Sequence, residues 1–262
     1  MSTKVPFFDY SEPLKAKVNL VECSNPIQNK LFRDTIDKYH SYKKYTDSPT
    51  RNLRWLLYES ESGNLIGAIG LSSATIAISC RDKFIGWTKE QRIKNLGMLA
   101  NNSRCCFIRD NITLKNAGSM ALKQVRIEGA RRWKQKYGQD LIMLETFVQP
   151  ERDDKYNGHK TRNGSIYRAD NWIEVGITSG NSIRKGPLAL WVKEKGTRGE
   201  LARKDPKAAL EKYGYSNGQE YIVSKSLPKI MFLKPLVDDW KERLTIQSDD
   251  SLPIGADNKS IV

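Results

Sequence analysis

Residues 141–180, LIMLETFVQPERDDKYNGHKTRNGSIYRADNWIEVGITSG, narrow the folds open to this chain more than any other stretch. The opening apolar run, Leu141 to Val148, has the length and β-rich end of a buried strand, and Pro150 breaks it into a charged, glycine-bearing loop. Ser165 to Asn171 then forms a tight segment leading into Trp172–Thr178, whose Trp, Ile, Val and Ile suit a second strand. Polar groups at the ends of paired strands lie where a sheet opens a cleft. Glu145, Thr146, His159, Tyr167, Arg168 and Asn171 are therefore candidates to converge there. The alternative is that Tyr167 and Trp172 belong to the core and the charges are solvated.

The remaining segments read as further strands and helices. Val18–Val21 suits a short strand. Asn25-Pro26-Ile27-Gln28 opens a helix reaching about His40, with Asn25 as cap, Pro26 at the first helical position and Gln28 reaching back to the cap. Leu53–Tyr58 and Leu65–Leu71, joined through Glu59–Asn64, predict a β-hairpin. Thr88-Lys89-Glu90-Gln91 predicts a second capping box and a helix towards Ala100, stopped by Asn101, Asn102 and Ser103. Arg104–Ile108 reads as a strand and Asp110–Asn116 as a polar turn. The longest helix spans about Ala117–Tyr137 and closes at Gly138. Its Leu122, Val125, Gly129 and Trp133 share the sheet-facing side, and Lys123, Arg131 and Lys134 the other. Beyond Gly180 a basic segment, Arg184 to Arg203, contains a strand candidate at Leu188–Val192. A short helix follows from Asp205-Pro206 to about Tyr213, then a last apolar strand in Lys229–Leu236. The tail from about Gln247 has the composition of a disordered segment.

Charge points to the partner class. The formal net charge is +14, which favours a polyanion, nucleic acid first and an anionic membrane surface second. Ser41-Tyr42-Lys43-Lys44-Tyr45 mixes basic and aromatic groups as nucleic-acid contacts often do, and Arg184 and Lys185 add further positive charge. No apolar run approaches the roughly 20 residues of a membrane helix, and the first residues lack the apolar core of a signal peptide, so a soluble cytoplasmic protein is expected. The four cysteines contain no C-x-x-C pair, and adjacent Cys105 and Cys106 on a strand point to opposite faces. No phosphate loop, dinucleotide fingerprint, H-E-x-x-H or G-x-S-x-G motif is present. The only histidines are His40 and His159.

The order of helix, hairpin, strand, long helix, strand, short helix and strand resembles the GNAT acyltransferase superfamily. The resemblance implies an α/β (α+β) fold: a mixed central sheet flanked by helices, here with a basic insertion near the C-terminus. In that superfamily a Q/R-x-x-G-x-G/A motif seats the pyrophosphate of an acyl-coenzyme A on backbone N–H groups. Arg109–Ser119 occupies the corresponding place without the motif, so acetyl-coenzyme A is disfavoured. In closer detail, LRWLLYESESGNLIGAIGLSSA, RDKFIGWTKEQR, ANNSRCCFI, LETFVQP, IYRADNWIEVGITSG and KIMFLKPL resemble, in this order, the DruA family of Druantia anti-phage defence proteins. Gln149 stands where that family carries aspartate. A weaker likeness is to the Mom family of phage DNA-modification proteins, through Tyr39-His40-Ser41, Ser119, and His159 with Ile166-Tyr167-Arg168-Ala169-Asp170-Asn171-Trp172.

These resemblances imply a transferase that modifies a base in DNA, or alternatively a non-catalytic nucleic-acid-binding subunit of a defence or mobile-element system. An acyltransferase for small molecules ranks third. The implied catalytic residues are His40, Ser119, Glu145 and Tyr167. Tyr39, Asn101, Asn102, Arg104, Thr146, Arg168 and Asn171 are the substrate-binding candidates, and Lys43, Lys44, Arg184 and Lys185 the nucleic-acid contacts. The Mom likeness makes iron a candidate cofactor, with His40, Glu145 and His159 as a facial set. Tyr167 and Ser119 have plainer readings as a core tyrosine and a helix cap. Arg81 with Asp82 reads as a structural pair, and Trp87 as packing. DNA and other defence subunits are the expected partners, with no membrane contact. The domain reading is residues 1–50 as a strand and helix packed on the core, 51–180 as the core, 181–228 as the basic insertion, 229–246 as a closing strand and helix, and 247–262 as the tail.

Overall fold

The computed structural model describes residues 17–40, 45–46, 50–150, 152–153, 158–161, 163–178, 182–184, 187–214, 222–225 and 228–245. The chain begins with β1 (Val18–Glu22), α1 (Pro26–Tyr39), β2 (Asn52–Glu59), β3 (Leu65–Ser73), α2 (Ser79–Ile85) and α3 (Lys89–Asn95). It continues through β4 (Leu99–Phe107), α4 (Ala117–Tyr137), β5 (Met143–Val148), the small hairpin β6 (Arg152–Asp153) and β7 (Gly158–Thr161), α5 (Ser165–Ala169) and β8 (Ile173–Ile177). Then come β9 (Ser182–Arg184), α6 (Pro187–Trp191), α7 (Thr197–Lys204), α8 (Pro206–Lys212), β10 (Ile222–Lys225), β11 (Ile230–Pro235) and α9 (Trp240–Thr245). Seven strands form one mixed sheet in the order β1-β2-β3-β4-β5-β11-β8, and β9 pairs with β10 separately. Every neighbouring pair in the large sheet is antiparallel except β4 and β5, which run parallel.

Local chemistry sets the helix ends. The Asn25 side chain accepts from Gln28 N, and the Gln28 side chain accepts from Asn25 N, closing the expected capping box. Such a cap contributes about 1 kcal/mol. Thr88 and Gln91 repeat the arrangement on α3. α4 stops at Gly138, whose φ of 68° is left-handed and is strained for residues with a Cβ. At Gly67 the requirement is space: a Cβ there would lie 2.2 Å from the Cys106 carbonyl oxygen on β4.

Side-chain alternation splits the core between the two faces of the sheet. On one face α4 buries Leu122, Val125 and Trp133 against Trp55, Leu57, Leu144 and Phe232. On the other, α1 covers β2 to β4 through Phe32, Ile36, Leu56 and Cys106. Beside it α2 and α9 cover β5 and β11, where Ile85, Trp87 and Leu244 meet Met143, Met231 and Leu233. Cys105 and Cys106 do point to opposite faces, Cys105 towards α4 and Cys106 towards α1. A fourth cluster, Leu188, Trp191, Ala202, Ala209 and Leu210, joins α6, α7 and α8. No helix among the described residues is long and apolar enough to cross a membrane.

Four features differ from the sequence expectations. Leu188–Val192 lies mainly in helix α6, because Pro187 opens it and Leu188 and Trp191, three apart, bury themselves together against α7 and α8. β4 begins at Leu99, so Asn101 and Asn102 are strand residues: Leu99 and Ala100 are buried on opposite faces and their backbone joins the parallel ladder. Helices α2 and α7 were not anticipated. β5 and β8 are not neighbours, because β11 lies between them and bonds to both. Lys43, Lys44, Lys185 and the tail from Gln247 lie outside the described residues, as do the side chains of His159 and Arg184.

Candidate nucleic-acid interface

The site follows from a split in the sheet. β4 and β5 pair only from Leu99↔Met143 to Asn101↔Glu145, although β4 continues to Phe107 alongside β3. The β3–β4 register also shifts between Gly70 and Leu71, next to the split. Where the strands part, the Thr146 hydroxyl donates to the Asn102 carbonyl at 3.0 Å.

On the α4 face the split is filled by the chain itself. Tyr167 of α5 lies with its hydroxyl 3.3 Å from Thr146 Oγ1, shares a hydrogen bond with Cys105, and packs its ring on Phe232 and Trp172 at centroid distances of 5.8 and 5.0 Å. Burial pushes the Cys105 thiol up to about 12, against the small opposing effect of the Tyr167 hydrogen bond. Ile166, the residue before Tyr167, covers the start of α4, where a Cβ on Gly118 would meet its side chain at 3.6 Å.

On the opposite face the split opens into a groove of about 620 Å³ between α1 and the loop leading to α2. Phe32 and Arg54 form part of one wall, Thr75 and Ile76 part of another, and Asn101, Asn102, Arg104 and Lys229 also line it. Arg54 lies 5.3 Å from the Tyr45 ring centroid and 6.0 Å from that of Phe32, and its Nη1 donates to Asn29 Oδ1 at 3.1 Å. Arg104 donates to the Ser103 carbonyl at 2.7 Å and to Thr46 Oγ1 at 3.4 Å. No aspartate or glutamate is among the described residues of the lining. Among the described residues Asn101 Oδ1 is buried and without a hydrogen-bond partner, as are Oδ1 and Nδ2 of Asn102, whose side chain lies on the α4 side of the sheet with Leu71.

Glu145 supports the groove from behind. Its Oε1 accepts from Thr75 N at 2.7 Å and its Oε2 from Arg81 Nη1 at 2.9 Å, with both charged side chains fully buried. Arg81 also pairs with Asp82 at 2.8 Å and donates to the carbonyls of Thr75 and Ile76, and Asp82 pairs with Arg92. Burial pushes the Glu145 carboxyl up, opposed by the Arg81 charge and the Thr75 N–H.

The expected gathering of Glu145 with Tyr167 does not occur. Glu145 lies on β5 between Met143 and Phe147, which pack towards α2, whereas Thr146 lies between Leu144 and Val148, which pack towards α4 as Tyr167 does. Strand alternation separates them. Asn101 and Arg104 line one groove, whereas Asn102 pairs with Leu71 and shares its α4-facing side of the sheet. Arg168 is paired with Glu174 and lies 5.1 Å from the Phe232 ring centroid. Asn171 takes a left-handed turn, φ 56°, and its carbonyl accepts from Lys234. Ser119 Oγ donates to the Asn116 carbonyl in the first turn of α4. His40 caps the end of α1 through its backbone N–H, and Tyr39 packs on the α1 cluster. No cluster of three His, Cys, Asp or Glu side chains able to hold a metal occurs among the described residues. Each Glu145 oxygen accepts one hydrogen bond, and the His159 side chain lies outside the described residues. Sequence reading missed Arg54 and Lys229 as groove residues; their only signal was a cation at the polar edge of an apolar strand.

A mixed sheet with one parallel pair that splits, and a long helix connecting the two strands of that pair across one face, is a GNAT-like fold. The chain belongs to the DruA family, whose model, described as Druantia protein DruA, matches residues 9–232. Among solved structures it is similar to a mutant of spermidine N-acetyltransferase SpeG from Vibrio cholerae, with 8% identity, a TM-score of 0.39, and 87% of this chain and 98% of that one covered. It is also similar to a Chromobacterium violaceum protein described as a GNAT-family acetyltransferase, with 8% identity, a TM-score of 0.38, and coverage of 90% and 96%. A comparison with curated proteins gives no match.

Proposed function

We propose that the chain engages nucleic acid for an anti-phage defence system, with the groove between α1 and the loop before α2 as its interface and other Druantia proteins as its partners. The observation that carries this reading is the sign of the groove: Arg54, Arg104 and Lys229 line it with no carboxylate among its described residues, in a chain of net charge +14. Phosphate neutralised by such cations releases counterions, so binding weakens steeply with salt. The test is DNA binding by the full chain across a salt series. A steep negative slope of log affinity against log salt is expected; a flat slope, or no binding at low salt, would overturn the proposal.

A second reading is a transferase that modifies a base in DNA. Cavity size favours it, since about 620 Å³ lies within the range that accommodates small organic ligands. Acyl-coenzyme A fits poorly as its donor: the pyrophosphate motif is missing, and Ile166 lies over the start of α4. Mass spectrometry of nucleosides from cells expressing the protein decides this reading. A new nucleoside supports it, and an unchanged profile beside abundant folded protein counts against it.

A further inference from the structure

One rung of the sheet carries two of the groove's cations. Arg54 on β2 and Arg104 on β4 are both register partners of Gly70 on β3, so these residues stand in line across three strands. All of them face α1. A Cβ on Gly70 would meet Phe32 Cζ at 3.3 Å, and Arg54 lies 6.0 Å from the Phe32 ring centroid. Arg104 has the parity of Cys106, which packs towards α1. Two strand spacings set the arginine Cα atoms about 10 Å apart.

Lys229 extends the line across the split. It precedes Ile230 of β11, the partner of Val148 on β5, and it lines the groove together with Phe147. In the sheet order β2-β3-β4-β5-β11, Arg54, Arg104 and Lys229 therefore stand on or beside alternate strands. The surrounding structure fixes where these charges start. Arg54 donates to Asn29 Oδ1 at 3.1 Å and Arg104 to the Ser103 carbonyl at 2.7 Å, while the backbone of Lys229 is bonded to Thr178. The tip of the Phe32 ring lies over Gly70, between the two arginines. They are thus kept from closing on one compact anion and address separate ones, as the phosphates of a polymer are.

We infer that a nucleic-acid backbone crosses the sheet at right angles to its strands, from β2 towards β11, and places separate phosphates on Arg54, Arg104 and Lys229. This rests on the nucleic-acid reading above and gives the ligand a path at the same groove. Phosphate contacts position a backbone without reading its sequence, so this line of cations selects no base.

The experiment measures binding of a mixed-sequence oligodeoxynucleotide to the full chain over a salt series. The proteins compared are the wild type, Arg54→Gln, Arg104→Gln, Lys229→Gln, the triple variant and Lys123→Gln. Lys123 is exposed on α4, across the sheet from the groove, and its substitution changes the net charge equally. Each groove substitution should reduce the slope of log affinity against log salt by about 0.7 for a single strand or about 0.9 for duplex, and the triple variant by about three times as much. Lys123→Gln should leave the slope unchanged. If Arg54→Gln does not melt cooperatively, Arg54→Met keeps the apolar stem packed on Phe32 and Tyr45 and carries the same expectation. A loss confined to one or two of the groove positions, no loss at any of them, or an equal loss in Lys123→Gln overturns the path and leaves nucleic-acid binding standing. No binding by the wild type at low salt overturns both.

Discussion

Arg81 and Glu145 stand 64 residues apart in sequence and 2.9 Å apart in space, each with no solvent exposure. Because Glu145 Oε1 also holds Thr75 N, the pair fixes the loop that forms one wall of the groove. Removing one partner strands a buried charge. Arg81→Met should therefore cost about 3–5 kcal/mol, and Arg81→Met with Glu145→Met should recover much of that loss. Denaturant unfolding of the single and double variants measures both. Equal destabilisation in the two would show that the pairing is not what holds the loop.

Glu59 plays the same part at the opposite end of the sheet. Its carboxylate accepts from the hydroxyls of Ser62 and Thr113 and from the N–H groups of Leu114 and Thr113, tying β2 to the loop before α4. Those bonds, the Ser62 and Thr113 hydroxyls foremost, hold its pKa below the ordinary 4.5. The folded pKa is depressed, so its stabilisation is present above 4.5 and is lost as pH falls through the lower folded value. Glu59→Gln should melt below the wild type at neutral pH, and the gap should close as the pH is taken below 4.5. Thermal melts of both proteins across that window provide the check.

Strand spacing gives a third expectation. A Cβ on Gly67 would come within 2.2 Å of a backbone oxygen, which cannot swing aside as a side-chain tip can. Gly67→Ala should push β3 from β4 at a cost of about 1–3 kcal/mol, measurable as a lowered denaturation midpoint.

The thiols should be inert in the folded protein. Burial raises Cys23 to about 11 and Cys105 to about 12, Cys80 is also raised by burial, and Cys106 is buried. Thiolate, the reactive form, is scarce under these conditions. Titration with a disulfide reagent near pH 8 should be slow on native protein and rapid for all four cysteines after denaturation. Fast native reaction of any one of them contradicts this.

Much of the scaffold was legible because local rules decided it. Asn25 with Gln28, Thr88 with Gln91, and Gly138 after an amphipathic run are signals that tertiary contacts had no reason to override. Leu188–Val192 was misread because a five-residue apolar run suits either period, and burial against α7 and α8 selected the helix. Asn101 and Asn102 resembled a helix stop because polar amides rarely occupy a buried strand. The Arg81–Glu145 contact had one legible trace: a carboxylate inside the apolar run Leu141–Val148 needs a cation or a proton. Which cation, and which face of the sheet, depended on strand order.

That order has a consequence for biosynthesis. β11 is drawn from far along the chain yet fits between β5 and β8, giving each of them a bonded neighbour. During translation β5 and β8 emerge long before the strand that joins them, so a nascent chain halted before Ile230 carries two adhesive ladders with nothing between them. Ribosome-bound intermediates of this protein are therefore exposed to chaperone capture, and a premature stop ahead of β11 would leave β8 without its bonded neighbour in the large sheet.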